Sequence, residues 1–87
     1  MPEICLFCGI KISMFFDEHN PPHFHAEYGE DEAVVGILSG TVLRGRLPRR
    51  QLKYVLAWAE AHTDELMQNW EIARAGGKLE KIAPPTF

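Results

Sequence analysis

The sequence predicts an α+β fold in which an antiparallel meander of four to five short strands precedes a long C-terminal helix. Two observations support this class. Apolar and polar residues alternate through much of the first half, which is typical of half-buried antiparallel strands. In the second half, apolar residues recur at helical spacing after Pro48. Because the strands come first and the helix last, we expect the helix to pack on one face of the sheet.

The length of 87 residues fits a single domain, which we place at residues 1–83 with a loose tail at 84–87. An apolar fraction of 46% is ordinary for a folded protein and argues against disorder. No run approaches the ~18 apolar residues of a membrane span. The start, Met1-Pro2-Glu3, lacks the features of a signal peptide, so we expect a cytoplasmic protein without membrane contact.

The strands are predicted from apolar runs and from alternation between turn residues. They cover residues 3–8, 10–16, 23–28, 33–38 and 41–47. Ser39-Gly40 is a turn signal and predicts that the last two strands form a hairpin. Simple alternation in the last strand places Val42, Arg44 and Arg46 on one face.

The helix is expected to begin at Pro48, because proline suits the first helical turn. Thr63 followed by Asp64-Glu65 is typical of a new helix start, yet the apolar rhythm continues beyond it. We therefore expect one long helix kinked near Thr63, or two helices with almost no loop between them. Gly76-Gly77 should end the helix, and residues 78–82 are candidates for a short final strand.

Two cysteines, Cys5 and Cys8, form a C-x-x-C pattern near the start of the chain. A structural zinc site needs four ligands, usually from two such pairs, and only one pair is present. The pair also lies inside an apolar run rather than at a helix start, where redox motifs are found. We interpret both residues as buried thiols.

Three of the four histidines lie on either side of a turn that contains two adjacent prolines. They are His19, His23 and His25, and the turn is Asn20-Pro21-Pro22. On the third predicted strand, His23, His25 and Glu27 share one face. The prolines should stiffen the turn and hold its neighbours in place. The sequence does not determine whether the peptide bond before either proline is cis.

Charge is strongly segregated along the chain. The net charge of −3 argues against general attraction to nucleic acid. Residues 1–43 carry seven acids and one base, whereas residues 44–53 carry five bases and no acid. We predict that this basic stretch binds an anion or a partner. The arginines assigned to that role are Arg44, Arg46, Arg49 and Arg50.

The stretch Asp-Glu-His-Asn-Pro-Pro-His-Phe-His-Ala-Glu-Tyr, residues 17–28, resembles the signature of the domain-of-unknown-function family 4160. Leu47-Pro48-Arg49-Arg50 and the helix from Trp58 to Trp70 extend the resemblance over nearly the whole chain. Members are small prokaryotic proteins, often encoded beside a family 2442 protein in an arrangement like a toxin–antitoxin pair. The resemblance implies a cognate small protein from a neighbouring gene and a toxin role, but no catalytic residue.

One hypothesis is a metal site with a divalent cofactor. His23, His25 and Glu27 form a two-histidine, one-carboxylate set, which Asp17 or His19 can complete from the loop. Residues two apart on a strand have backbones roughly 6.5–7 Å apart, so ring orientation decides whether they share an ion.

A second hypothesis is metal-free cleavage of RNA by acid–base chemistry. His19, His23 and His25 would transfer protons near neutral pH. The four arginines would hold the phosphate, because a guanidinium binds it in a fixed fork.

The hypothesis we favour is a protein-binding module. The sheet face or the basic stretch would dock the partner chain, with Tyr54, Trp58 or Trp70 as anchors if exposed. The histidines would then be structural, bonded to a neighbouring carboxylate such as Glu27. At helical spacing, Trp58 and Trp70 are expected to pack at the edge of the core. Assembly with a second copy of the chain is left open.

Overall fold

The computed structural model describes residues 3–15 and 19–86, and its strands form one antiparallel sheet in chain order. The strands are β1 (Glu3–Phe7), β2 (Ile10–Ser13), β3 (His23–Tyr28), β4 (Asp31–Gly36) and β5 (Val42–Gly45). Two helices follow, α1 (Arg49–Ala61) and α2 (Thr63–Arg74). The predicted α+β meander is confirmed, because each alternating segment pairs with the next one along the chain.

The two helices are separated by His62 alone, whose φ of −122° and ψ of 27° lie outside helical values. The Thr63 hydroxyl donates back to the carbonyl oxygen of Ala59 at 3.1 Å, so it does not cap α2. Asp64 and Glu65 occupy the first turn of α2, where acids suit the positive helix end. This break agrees with the predicted split near Thr63. Within the described residues, neither helix is long and apolar enough to cross a membrane.

The core lies between one face of the sheet and the helices. Trp58 and Trp70 are each 1% exposed. The Trp58 ring packs against Phe7 and Phe24, with centroids 5.4 and 6.0 Å away, and its Nε1–H donates to the carbonyl oxygen of Ala83 at 2.9 Å. Both tryptophans therefore belong to the core, and the alternative that they are exposed anchors is wrong.

Residues 78–82 do not form the predicted strand. The side chain of Asn69 donates to the carbonyl oxygen of Glu80 at 2.8 Å and accepts from its backbone N–H at 3.0 Å. These bonds occupy groups that a strand would pair with β1. One backbone bond does reach β1, from the N–H of Ile82 to the carbonyl oxygen of Ile4 at 2.8 Å.

The pairing of β4 with β5 contains an irregularity that reverses one predicted facing. Val42 lies opposite Val35, whereas Arg44 lies opposite Val34, so Leu43 is an extra residue on β5. Directly opposed residues share a face of the sheet, and Val34 and Val35 face opposite ways. Val42 and Arg44 therefore lie on opposite faces, and the prediction that they share one is wrong.

Candidate functional site

His23 and His25 lie on the outer face of the sheet, opposite the face that carries the core residues Phe24 and Ala26. The third predicted histidine, His19, lies in the loop before β3. Opposed residues form two neighbouring rows on this face. One row is Ser13, His25, Val34 and Arg44, and the next is Lys11, Glu27 and Glu32. The sheet thus brings part of the histidine stretch and part of the basic stretch together.

His25 is held by a carboxylate from the next strand. Its Nδ1 lies 3.1 Å from Oε2 of Glu32, and its ring makes an edge contact with Phe15, with centroids 4.7 Å apart. The side chain of Glu27 instead pairs with Lys11, whose Nζ lies 3.3 Å from Oε1. The predicted bond to Glu27 therefore goes to Glu32. Sequence reasoning missed Glu32, although the short turn after β3 signals that β4 folds back beside it.

His23 is fixed by the proline turn. Its Nδ1 lies 2.8 Å from the carbonyl oxygen of Pro21, which only accepts, so Nδ1 is the donor. A neutral His23 ring then has its acceptor nitrogen at Nε2. The ring also packs against Trp70 and His25, with centroids 5.1 and 5.5 Å away. The Asn20-Pro21 bond is cis, which answers the question left open by the sequence.

A groove of about 270 Å³ lies beside His23. Its walls are His19, Asn20, Pro21, His23, Val34, Leu43 and Arg44. It therefore contains two of the three predicted catalytic histidines and one predicted anion-binding arginine. His25 does not line this groove; its ring lies against His23.

The predicted metal ligands do not form a group in the part of the chain that the structure describes. In residues 3–15 and 19–86, no three His, Cys, Asp or Glu side chains are arranged to hold a metal ion. The Nδ1 atoms of His23 and His25 bond to Pro21 and Glu32, and Glu27 pairs with Lys11. Asp17 lies outside the described residues, so the four-residue set stays a prediction.

The basic segment, residues 44–53, runs from β5 into the first turns of α1. Its five cations are exposed, and none forms an ion pair with another described residue. They are Arg44, Arg46, Arg49, Arg50 and Lys53. Helix α1 begins without a side-chain cap and without an acid in its first turn, so its positive end adds to theirs. Arg49, Arg50 and Lys53 line a groove of about 390 Å³ together with Tyr54.

The two cysteines are both free thiols but differ in exposure. Cys5 is buried, and burial raises the pKa of its thiol. Cys8 is exposed, in a turn where its φ is 52°, so the interpretation of both as buried is wrong for Cys8. A raised pKa is the opposite of the lowered value that reactive cysteines show, which argues against a redox role for Cys5.

These features define a small α+β protein with a histidine pair on the outer sheet face and a basic segment at the start of its first helix. The chain belongs to the family described as a domain of unknown function (DUF4160), whose model matches residues 9–71. That range contains β2 to β5, α1 and most of α2, and so includes the histidine stretch and the basic segment. No curated protein and no solved structure matches the chain.

Proposed function

We propose that this protein is a protein-binding module that docks an acidic partner on its basic segment. The observation that carries this proposal is the group of five exposed cations without ion pairs among the described residues, in a chain whose net charge is −3. Cations that only balanced nearby acids would be paired with them. Their concentration in ten residues instead favours an external anionic partner.

The side chains of the segment suit carboxylate recognition. Guanidinium groups bind carboxylates through two parallel hydrogen bonds, and arginine is enriched among residues that dominate binding energy. Leu43, 44% exposed, and the half-buried Tyr54 add apolar and aromatic area at either end. Because Trp58 and Trp70 are in the core, Tyr54 is the predicted anchor that remains, and Leu43 is added to it.

The histidine face supports the same proposal. His25 bonds to Glu32, and His23 bonds to Pro21 and packs on Trp70. Such contacts are what structural histidines make, and they require no catalytic role. We extend the proposal to the cognate small protein of a neighbouring gene, in a toxin–antitoxin-like pair. This extension depends on the family resemblance alone.

Calorimetric titration of the purified chain with that cognate protein tests the proposal. The variant Arg49→Glu with Arg50→Glu should weaken binding at least about tenfold, because each reversed charge removes an attraction and adds a repulsion. The matched control is Arg74→Glu with Lys78→Glu, which makes the same charge change on another part of the surface. Equal affinity of both variants, or no binding by the wild type, would overturn the proposal.

A second candidate function is cleavage of RNA, favoured by the groove that holds His19, His23 and Arg44 together. Two imidazoles beside a guanidinium can supply the proton acceptor, the proton donor and the cation that phosphodiester cleavage needs. The proposal predicts cleavage of a single-stranded RNA by the purified chain in the presence of a chelator.

The variant His19→Ala should abolish that cleavage with little change in fold, since His19 is exposed. The control is Gln68→Ala, because Gln68 is exposed on α2 and does not line the groove. Cleavage that survives His19→Ala would overturn the assignment of the reaction to this groove, and absence of cleavage by the wild type would reject this function.

A further inference from the structure

The two edge strands of the sheet, β1 and β5, differ in whether another segment of the chain forms backbone hydrogen bonds with them. At β1, the C-terminal segment lies alongside, and the N–H of Ile82 donates to Ile4. At β5, the other edge, no described residue outside β4 and its turn forms a backbone hydrogen bond with the strand. The residues from Leu43 to Arg46 are exposed. An edge of this kind presents unpaired backbone donors and acceptors.

The positive charges of Arg44 and Arg46 determine which kind of strand can pair with β5. Arg44 and Arg46 lie two positions apart along the edge. If a second copy added its own β5 in antiparallel register, arginines of the two copies would lie close together, and like charges opposite each other destabilise a pair of strands. A segment with carboxylates at alternate positions would instead place them beside Arg44 and Arg46.

We propose that β5 accepts an extended acidic segment of a partner protein as a sixth strand of the sheet. This inference depends on the proposed function and specifies how the partner is bound. The added backbone supplies the hydrogen bonds, and the alternating carboxylates supply selectivity through Arg44 and Arg46. Because β5 has four residues and an extra residue at Leu43, the new pairing is short. The arginines must therefore supply much of the affinity.

A blocked ten-residue peptide of alternating glutamate and valine tests this inference with the isotopically labelled full chain. Addition of the peptide should slow amide hydrogen exchange at residues 42–46 and shift their resonances. Arg44→Glu should weaken the peptide about tenfold, whereas the control Arg74→Glu should change its affinity less than twofold. A lysine–valine peptide of the same length should not bind.

A second peptide separates strand addition from attraction of charge. It carries the same side chains but has every backbone nitrogen methylated, so neither of its edges can donate hydrogen bonds to β5. Strand addition predicts that this peptide binds at least about tenfold more weakly. Equal affinity of the two peptides would overturn the inference.

The remaining outcomes distinguish this inference from the function on which it depends. Failure of the acidic peptide to bind, while the cognate protein still binds the wild type and not Arg49→Glu with Arg50→Glu, overturns strand addition alone. Failure of the cognate protein as well overturns both. A single-stranded RNA that protects residues 42–46 in place of the peptide also overturns the inference.

Discussion

His25 and Glu32 are joined across the β3–β4 hairpin, with 3.1 Å between Nδ1 and Oε2. The histidine is 9% exposed, and the carboxylate, with a side chain 48% exposed, reaches it from the neighbouring strand. The bond links two residues seven positions apart and fixes the orientation of the ring. It is the main structural reason for treating His25 as part of the framework.

Removing this bond should destabilise the sheet modestly. Glu32→Ala should lower the free energy of unfolding by about 0.5–1 kcal/mol, because the carboxylate is half-exposed and solvent screens it. Urea unfolding at pH 7 measures the change. Glu30→Ala, in the adjacent turn, is the control and should have almost no effect. Equal effects of the two substitutions would show that the bond contributes nothing to stability.

Gly45 should tolerate a side chain much less well than Gly40. Both have positive φ, 78° and 67°, so alanine at either position adds backbone strain of about 1 kcal/mol. At Gly45 a Cβ would also overlap the carbonyl oxygen of Glu32, whereas at Gly40 it meets open space. Gly45→Ala should therefore cost about 3 kcal/mol or more in thermal unfolding. Similar losses at the two sites would contradict the close approach of β5 to β4.

Asn69 should be essential for holding the C-terminal segment. It is 1% exposed, and its amide makes two hydrogen bonds with the backbone of Glu80. Asn69→Ala should cost about 2 kcal/mol, since it removes two hydrogen bonds made by a buried side chain. It should also speed amide exchange at Glu80 and Ile82. The exposed neighbour Gln68→Ala is the control, and unchanged exchange in the Asn69 variant would refute this account.

Features that depend on residues close together in the sequence could be predicted, whereas features that depend on contacts between separate segments could not. The meander followed from local alternation, and the start signal at Thr63 predicted a kink or a split there without deciding between them. The bulge at Leu43 could not be predicted from the sequence, because it depends on the register between β4 and β5. The bonds from Asn69 to Glu80 and from His25 to Glu32 also required the fold, since they join residues far apart or on different strands.

The same limit applied to the site. Residue type and spacing identified the histidine stretch and the basic segment, since both are continuous in sequence. The sequence could not predict which residues of these two stretches lie close together. His19, His23 and Arg44 share a groove only because β3, β4 and β5 are adjacent in the sheet. The exposure of Cys8 was missed because its turn, with positive φ at Cys8 and Gly9, lies within an apparently apolar run.

The buried thiol of Cys5 predicts a loss of stability at high pH. Its pKa is raised by burial, so the folded state holds the thiol proton more tightly than the unfolded state. Stability from this group is complete below the unfolded pKa of about 8.5 and falls as pH rises above it. Urea unfolding between pH 7 and 10 measures this, and Cys5→Ala should flatten the decline relative to Cys8→Ala. Parallel pH profiles of the two variants would contradict the assignment.

The most direct test of the central proposal is to map where the cognate protein contacts this chain. Backbone amide resonances of the labelled chain, recorded before and after addition of the unlabelled partner, give that map. Docking on the basic segment predicts the largest shifts within residues 44–53 and small shifts in α2 and the C-terminal segment. Unchanged resonances in residues 44–53, with large shifts elsewhere, would contradict it.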